Sequence, residues 1–302
     1  MKRRSPASPT SARASARSGS SGNALGRSAL RALAARHGIT PSKALGQHFL
    51  ADPNLARAIV ADAGVGAGDR VLEIGAGLGS LTVALADAGA NVLAIEFDRR
   101  VVPALRAVVA GRPSVRVEEI DAMHVDWHAL LGEDVWRMVS NLPYNVSVPL
   151  VVDLVEGVPA IDRFLVMVQR EVGDRFVASP GEDEYGPVTL RIAYRADAEI
   201  VRRVSAGVFW PTPNVDSVLV RIERRPPRVD VDPVALFRLI EAGFAERRKT
   251  MANALRRLGL DAAGATAVLR RCDIEPSARA ERLSLDEFAS VADAMLRTGW
   301  RL

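Results

Sequence analysis

Asn141-Leu142-Pro143-Tyr144 places a side-chain amide, a stiffened turn and an aromatic face directly behind an apolar run at 135–139 that reads as a buried strand. That combination suits an exocyclic amine on a flat base. The amino group of adenine is a poor nucleophile because its lone pair is delocalised into the ring, so acceptors aimed at its two protons favour the pyramidal, reactive shape. The Asn141 side-chain oxygen and a main-chain carbonyl held outward by Pro143, most simply that of Leu142, are the candidate acceptors. The Tyr144 ring is the candidate stacking surface. Taken alone the four residues also read as an ordinary strand-to-turn exit with a core tyrosine, since Asn and Pro are common turn formers.

The elements that must position this turn lie upstream. Residues 70–74 (RVLEI) read as a strand, Gly75-Ala76-Gly77-Leu78-Gly79 as a sharp turn, and 80–88 as a helix by its apolar spacing. Glycines belong where a chain bends tightly and lets a ligand approach backbone N–H groups. A second strand at 91–95 runs into Glu96, where nucleotide-binding folds place a carboxylate on ribose hydroxyls. A solvated acid at a strand end is the plainer reading. After a helix at 99–109, a third strand at 115–120 ends at Asp121, and Asp121-Ala122-Met123 offers a carboxylate beside an apolar wall for an adenine amino group.

Four strands ending in a glycine turn, Glu96, Asp121 and Asn141 put all four features on the carboxyl edge of one parallel sheet, where doubly wound folds bind ligands. No hydride-transfer acid or base follows the fourth strand, which argues against a nicotinamide enzyme. The inferred donor is S-adenosylmethionine. Its sulfonium methyl is already electrophilic, so no metal is required and the protein mainly supplies alignment. His124-Val125-Asp126-Trp127-His128 spaces two histidines around an acid, but helix capping by Asp126 is the simpler role.

Seven segments together resemble the family of ribosomal RNA adenine dimethyltransferases that modify the small subunit. They are LGQHFL (45–50), VLEIGAGLGSLT (71–82), IEFD (95–98), EIDAM (119–123), SNLPYNVS (140–147), FWPTPNVDS (209–217) and FAERRKTMANAL (244–255). The likeness covers the chain from about residue 44 onward. It implies a Rossmann-like class I methyltransferase sheet with a C-terminal all-α domain, and donor contacts at His48, Leu50, Gly75, Glu96, Asp121 and Asn141. Many members have Asn where this chain has His48; both side chains can donate to a methionyl carboxylate, and an imidazole adds pH dependence. The implied reaction is dimethylation of N6 on two neighbouring adenosines in a hairpin loop near the 3′ end of small-subunit rRNA, in a pre-30S particle. The likeness also has Phe209 facing Tyr144 across the flipped adenine; as residues alone, Phe209 equally fits a hydrophobic staple beneath the turn.

Composition bounds the rest. With 302 residues, 48% hydrophobic and 25% charged, the chain can bury a large domain and a smaller one. A lone Cys272 excludes an intramolecular disulfide, and no apolar run reaches membrane-spanning length. A cytoplasmic, soluble monomer is expected. Nine basic and no acidic residues lie before position 52, and subtracting them from 40 leaves 31 basic against 36 acidic. Any nucleic-acid surface on the folded part is therefore a local patch.

Residues 1–40 read as a basic extension, disordered to about residue 27 with structure beginning near Ala29 in a short helical segment to Arg36. The acid-free start resembles a transit peptide, a basic arm that tracks RNA phosphate has the same composition, and a plain bacterial extension is the bland reading. Asp52-Pro53 signals a helix start. The domain with the glycine turn is placed at 41–226 and a helical RNA-binding domain at 227–302. Residues 179–187 read as an exposed loop with Tyr185 a loop aromatic, and 200–204 with 217–222 as a hairpin closing the sheet. Helical spacing recurs at 234–245, 249–258, 261–271 and 284–296. Arg247, Arg248 and Lys249, joined by Arg256 and Arg257, form the strongest basic cluster, a candidate phosphate contact. Rival readings are a large-subunit rRNA methyltransferase of the antibiotic-resistance type, a DNA adenine methyltransferase, and a non-catalytic assembly or transcription factor on the same fold.

Overall fold

The computed structural model describes residues 25–42, 44–246 and 248–300. The expectations for the first 24 residues, for Lys43 and for Arg247 therefore lie outside the described residues. The first helix, α1 (Arg27–Arg36), leads to a short strand β1 (Phe49–Leu50) and to α2 (Pro53–Asp62). Asp52 caps α2 by accepting from the Asn54 and Leu55 N–H groups, with Pro53 pre-set in the first turn. The alternating core follows as β2 (Arg70–Ile74), α3 (Ser80–Asp87), β3 (Asn91–Glu96), α4 (Val102–Val109), β4 (Val115–Glu119), α5 (Trp127–Leu131), β5 (Trp136–Asn141), α6 (Ser147–Gly157) and β6 (Ile161–Gln169). Then come α7 (Arg170–Val177), α8 (Pro187–Arg195), β7 (Ala196–Val204), β8 (Phe209–Trp210) and β9 (Ser217–Arg224).

Seven of these strands form one sheet in the order β4-β3-β2-β5-β6-β9-β7. The first five are parallel, and β9 runs antiparallel between β6 and β7. The chain winds outward from β2 through β3 to β4, then crosses back to β5. That reversal opens a crevice at the carboxyl ends of β2 and β5. Apart from its first residue, β2 is buried on both faces, as a central parallel strand with helices on either side must be. β7 and β9 pair as expected, with β7 at the edge.

A second, two-stranded sheet pairs β1 with β8, setting Phe49 opposite Trp210 and Leu50 opposite Phe209. The Phe49 and Trp210 rings lie 6.1 Å apart. This ribbon ties the segment before α2 to the turn that precedes β9, across roughly half the chain.

Two expected boundaries move. The helical segment expected from about Ala29 to Arg36 is α1, beginning at Arg27, and it belongs to the folded body, with Leu30 and Ala34 buried together with Phe49, Leu78 and Val101, so it lies outside the extension placed at 1–40. The helical domain of α9 (Pro233–Phe244), α10 (Met251–Arg257), α11 (Ala262–Arg271) and α12 (Leu285–Arg297) recruits residues from before the boundary expected at 226/227. Tyr185 is no loop aromatic: it is buried, its hydroxyl donates to the Leu283 carbonyl at 2.7 Å, and its ring meets Phe244 edge-on. The helix α8, unrecognised in the sequence, faces both bodies, with Leu190 and Tyr194 in the helical core and Ile192 in the sheet core. A single buried aromatic in a polar loop gives no periodic signal.

Arg224 closes the sheet domain. Its guanidinium donates to the carbonyls of Leu154, Val155 and Val158 at the end of α6 and of Ile161 at the start of β6, tying the helix end to the sheet. Arg224→Ala is expected to lower stability by about 2–3 kcal/mol, because four partly buried carbonyls are deprived of a charged donor. An unchanged urea midpoint would show that water replaces it at no cost. Among the described residues no helix is long and apolar enough to cross a membrane.

Candidate active site

A cavity of about 240 Å³ opens at the crevice between β2 and β5. His48, Leu50, Gly75, Glu96, Asp121 and Asn141, together with Leu142 and Tyr144, all line it. Phe209, Arg248 and Lys249 do not.

Three loops that are remote in sequence make its walls by touching one another. Gly75 has φ +76°, and a Cβ there would lie 3.0 Å from the Pro143 ring, so the glycine turn and the Asn-Leu-Pro-Tyr turn are in direct contact. A Cβ on Gly77 would fall 2.9 Å from the Phe49 ring. On the third side, Gln47 donates to the Asp98 carboxylate at 2.9 Å, tying the 44–48 segment to the end of β3. The Asp98 carboxyl is held down at about 2, chiefly by the Arg100 guanidinium.

Glu96 accepts from the Gly77 and Asp98 N–H groups at 2.8 and 2.9 Å, one on each oxygen, so it braces the glycine turn as well as facing the cavity. Burial raises its pKa. Glu73, in the middle of β2, also lines the cavity, and burial pushes it up to about 8 with Glu96 adding to the push. Both carboxyls are pushed up by burial, and on Glu96 the Gly77 and Asp98 N–H groups work against that push. Sequence reading passed over Glu73, although an acid inside an otherwise apolar strand was its available signal. Phe97 was also missed; it is 58% exposed and lines the cavity together with the expected apolar wall at Ala122 and Met123. Asp121 sits at the rim, its pKa lowered first by the Met123 N–H and then by His124. Asp126 caps α5 through the Ala129 N–H, as expected.

The Asn141 amide is oriented. Its Nδ2 donates to the His48 carbonyl at 3.1 Å, which turns Oδ1 the other way as an acceptor. Leu142 gives its N–H to Met167, and its carbonyl accepts no hydrogen bond among the described residues. The Tyr144 hydroxyl shares a hydrogen bond of 3.0 Å with Ser217 on β9. Two acceptors and a pinned ring thus meet at the cavity.

Phe209 is corrected. It is fully buried beneath the β1–β8 ribbon with Leu50, Val204 and Leu219, which is the staple and not a face for a base. The ring against Tyr144 is that of His48, with centroids 5.3 Å apart and planes 29° from parallel.

The cavity fits an adenosine-bearing methyl donor. Flanking apolar side chains suit a base, a strand-end carboxylate suits a ribose, and a glycine cradle leaves room for a close backbone approach. The profile of the ribosomal RNA adenine dimethylase family matches residues 40–296. The chain belongs to this family.

This rRNA adenine dimethylase is 42% identical over 276 residues to the ribosomal RNA small subunit methyltransferase A of Streptomyces avermitilis, covering 89% of this chain and 93% of that protein. It is 42% identical over 272 residues to the protein of the same name from Geobacter sulfurreducens, covering 88% and 99%. Among solved structures, a dimethyladenosine transferase from Plasmodium falciparum superposes with a TM-score of 0.71 at 25% identity, over 84% of this chain and 99% of that one. The 23S rRNA methyltransferase ErmE superposes at 0.64 with 23% identity over 82% and 98%, a likeness of fold. The rRNA adenine dimethylase is thus a methyltransferase with a mostly parallel central sheet and a helical C-terminal region.

Proposed function

We propose that this enzyme uses S-adenosylmethionine to dimethylate N6 of two adjacent adenosines in the 3′-terminal hairpin loop of small-subunit rRNA, as a cytoplasmic monomer acting on a pre-30S particle. The observation that carries the chemistry is the locked Asn141 amide, whose Oδ1 and the neighbouring Leu142 carbonyl are free acceptors beside the donor cavity. The small-subunit assignment follows the relatives at 42% identity, whose names specify that subunit.

Gly75, Glu96, Asp121 and the main chain around His48 and Leu50 would hold the donor. When bound, the donor supplies an electrophilic sulfonium methyl. The chain's own residues then do three things. Tyr144, pinned by Ser217, presents a stacking face to an extruded adenine. Asn141 Oδ1 and the Leu142 carbonyl accept hydrogen bonds from the two N6–H groups, and from the one that remains in the second transfer, drawing the nitrogen lone pair out of conjugation. Each transfer breaks the sulfur–methyl bond, forms a nitrogen–methyl bond and releases one N6 proton to solvent. Packing of Pro143 on Gly75 fixes the spacing between the base turn and the donor turn.

Mass spectrometry of rRNA from cells lacking and regaining the protein tests this reading. Two dimethyladenosines on the 3′-terminal fragment of small-subunit rRNA are expected to vanish and return. Methyl groups that change on large-subunit rRNA or on DNA would replace the proposed substrate. No change, with intact donor binding, would make the chain an assembly factor.

RNA backbone contact is assigned to the helical domain. Arg248 and Lys249 are exposed, and among the described residues neither they nor Arg256 has an acidic partner. Lys249 and Arg256 flank an open groove between α10 and α11, whereas Arg257 is spent on Glu246 and the Ala242 carbonyl. Replacing Arg248 and Lys249 with Ala is expected to weaken RNA binding and to reduce the slope of log K against log salt by about 1.5, since each phosphate left without its cation removes roughly 0.7–0.9. An unchanged slope in a filter-binding titration would remove both residues from the interface.

A further inference from the structure

His48 is expected to serve the donor, yet its side chain is committed elsewhere. Its Nδ1 lies 2.8 Å from the Pro211 carbonyl, which can only accept, so Nδ1 carries the proton. In the neutral ring Nε2 is then a bare acceptor and cannot donate to a methionyl carboxylate. The ring plane lies against Tyr144 at 5.3 Å. A base inserted between two rings needs a centroid separation of about 7 Å, twice the carbon–carbon contact distance, so no adenine fits between His48 and Tyr144 as they stand. Meanwhile the His48 carbonyl is the group that orients the Asn141 amide. One residue thereby touches three parts of the acceptor side: the Asn141 amide through its main chain, Tyr144 through its ring, and the turn at 209–213 through Nδ1.

We infer that His48 is a positioning residue of the adenine site: anchored on Pro211, its imidazole backs one face of Tyr144, so that the target base stacks on the opposite face as the outer member of a three-ring column. Phe209, buried below, takes no part in the column. The inference rests on the proposed reaction, because it assumes that Tyr144 receives the base. It adds that the stack is half built before RNA arrives, which lowers the ordering cost of base capture.

The test compares wild type with His48→Asn, which keeps a polar donor but removes the ring, and His48→Phe, which keeps a ring but removes the bond to Pro211. Each is assayed for thermal midpoint, donor affinity by calorimetry, kcat at saturating donor, and quenching of 2-aminopurine placed at the target adenosine of the rRNA hairpin. The expected result is a kcat about tenfold lower with weakened quenching in His48→Asn, restoration to within about threefold in His48→Phe, and donor affinity within about threefold throughout. The inference is overturned if His48→Asn keeps wild-type kcat, if its loss tracks donor affinity, or if His48→Phe fails to restore the rate while remaining folded. A wild type that binds donor but methylates nothing in this hairpin would instead overturn the proposed substrate. The quenching comparison still reads the stack in that event, and equal quenching in all three proteins would overturn it.

Discussion

Asn141→Ala is expected to lower kcat by about 10²–10³-fold, the loss typical when one preorganised polar group is removed from a reacting centre. The size follows from what the amide does. Nδ2 is used on the His48 carbonyl, so Oδ1 is held as an acceptor without any reorganisation when the base arrives. Alanine removes that acceptor and leaves the His48 carbonyl unpaired, at a stability cost of about 1 kcal/mol, small beside the catalytic effect. Donor affinity is expected to stay within a few-fold, since Gly75, Glu96 and Asp121 are untouched. Asn141→Asp separates acceptor from orientation: the carboxylate retains oxygens but meets the His48 carbonyl with no donor, and it too is expected to be slow. Single-turnover methylation of the hairpin measures both variants. Wild-type rates in Asn141→Ala would remove the residue from the chemistry.

Phe209→Ala is expected to cost about 3–5 kcal/mol of stability, read as a lower urea midpoint. The ring is wholly enclosed in a cluster with Leu50, Val204 and Leu219, on a strand held by its pairing with β1, which opposes collapse into the void. Phe209→Leu leaves a smaller void, and the folded enzyme is expected to keep its kcat. The opposite pattern, full stability with a selective loss of base placement, would return Phe209 to the stacking role that family likeness gave it. The two outcomes differ because a core ring acts through the folding equilibrium and a stacking ring through the bound base.

Much of the molecule is legible along the chain. The strands at 70–74, 91–96 and 115–119, the glycine turn, the Asp52 cap and the four C-terminal helices follow from apolar period and local hydrogen-bonding chemistry, which operate within a few residues. The carboxyl-edge placement of Gly75, Glu96, Asp121 and Asn141 follows as well, because parallel strands joined by right-handed crossovers leave little choice. Less legible were α8 and Tyr185, whose burial depends on a helical body contributed from roughly a hundred residues further on.

What the amino-acid order determined by itself was therefore the set of chemical groups and the edge on which they stand. Tertiary structure decided which of them face each other. Period and capping specify a strand and its end, but not what a side chain at that end meets, since contacts between 46–48, 75–77, 141–144 and 209–211 are made only when the sheet closes. His48 and Phe209 show the difference: both are aromatic, one directly precedes β1 and the other opens β8, and the pairing of those two short strands goes with one ring buried and the other set against Tyr144. A one-residue slip of β8 would turn Phe209 to the other face of the ribbon, and nothing local to that segment encodes the choice.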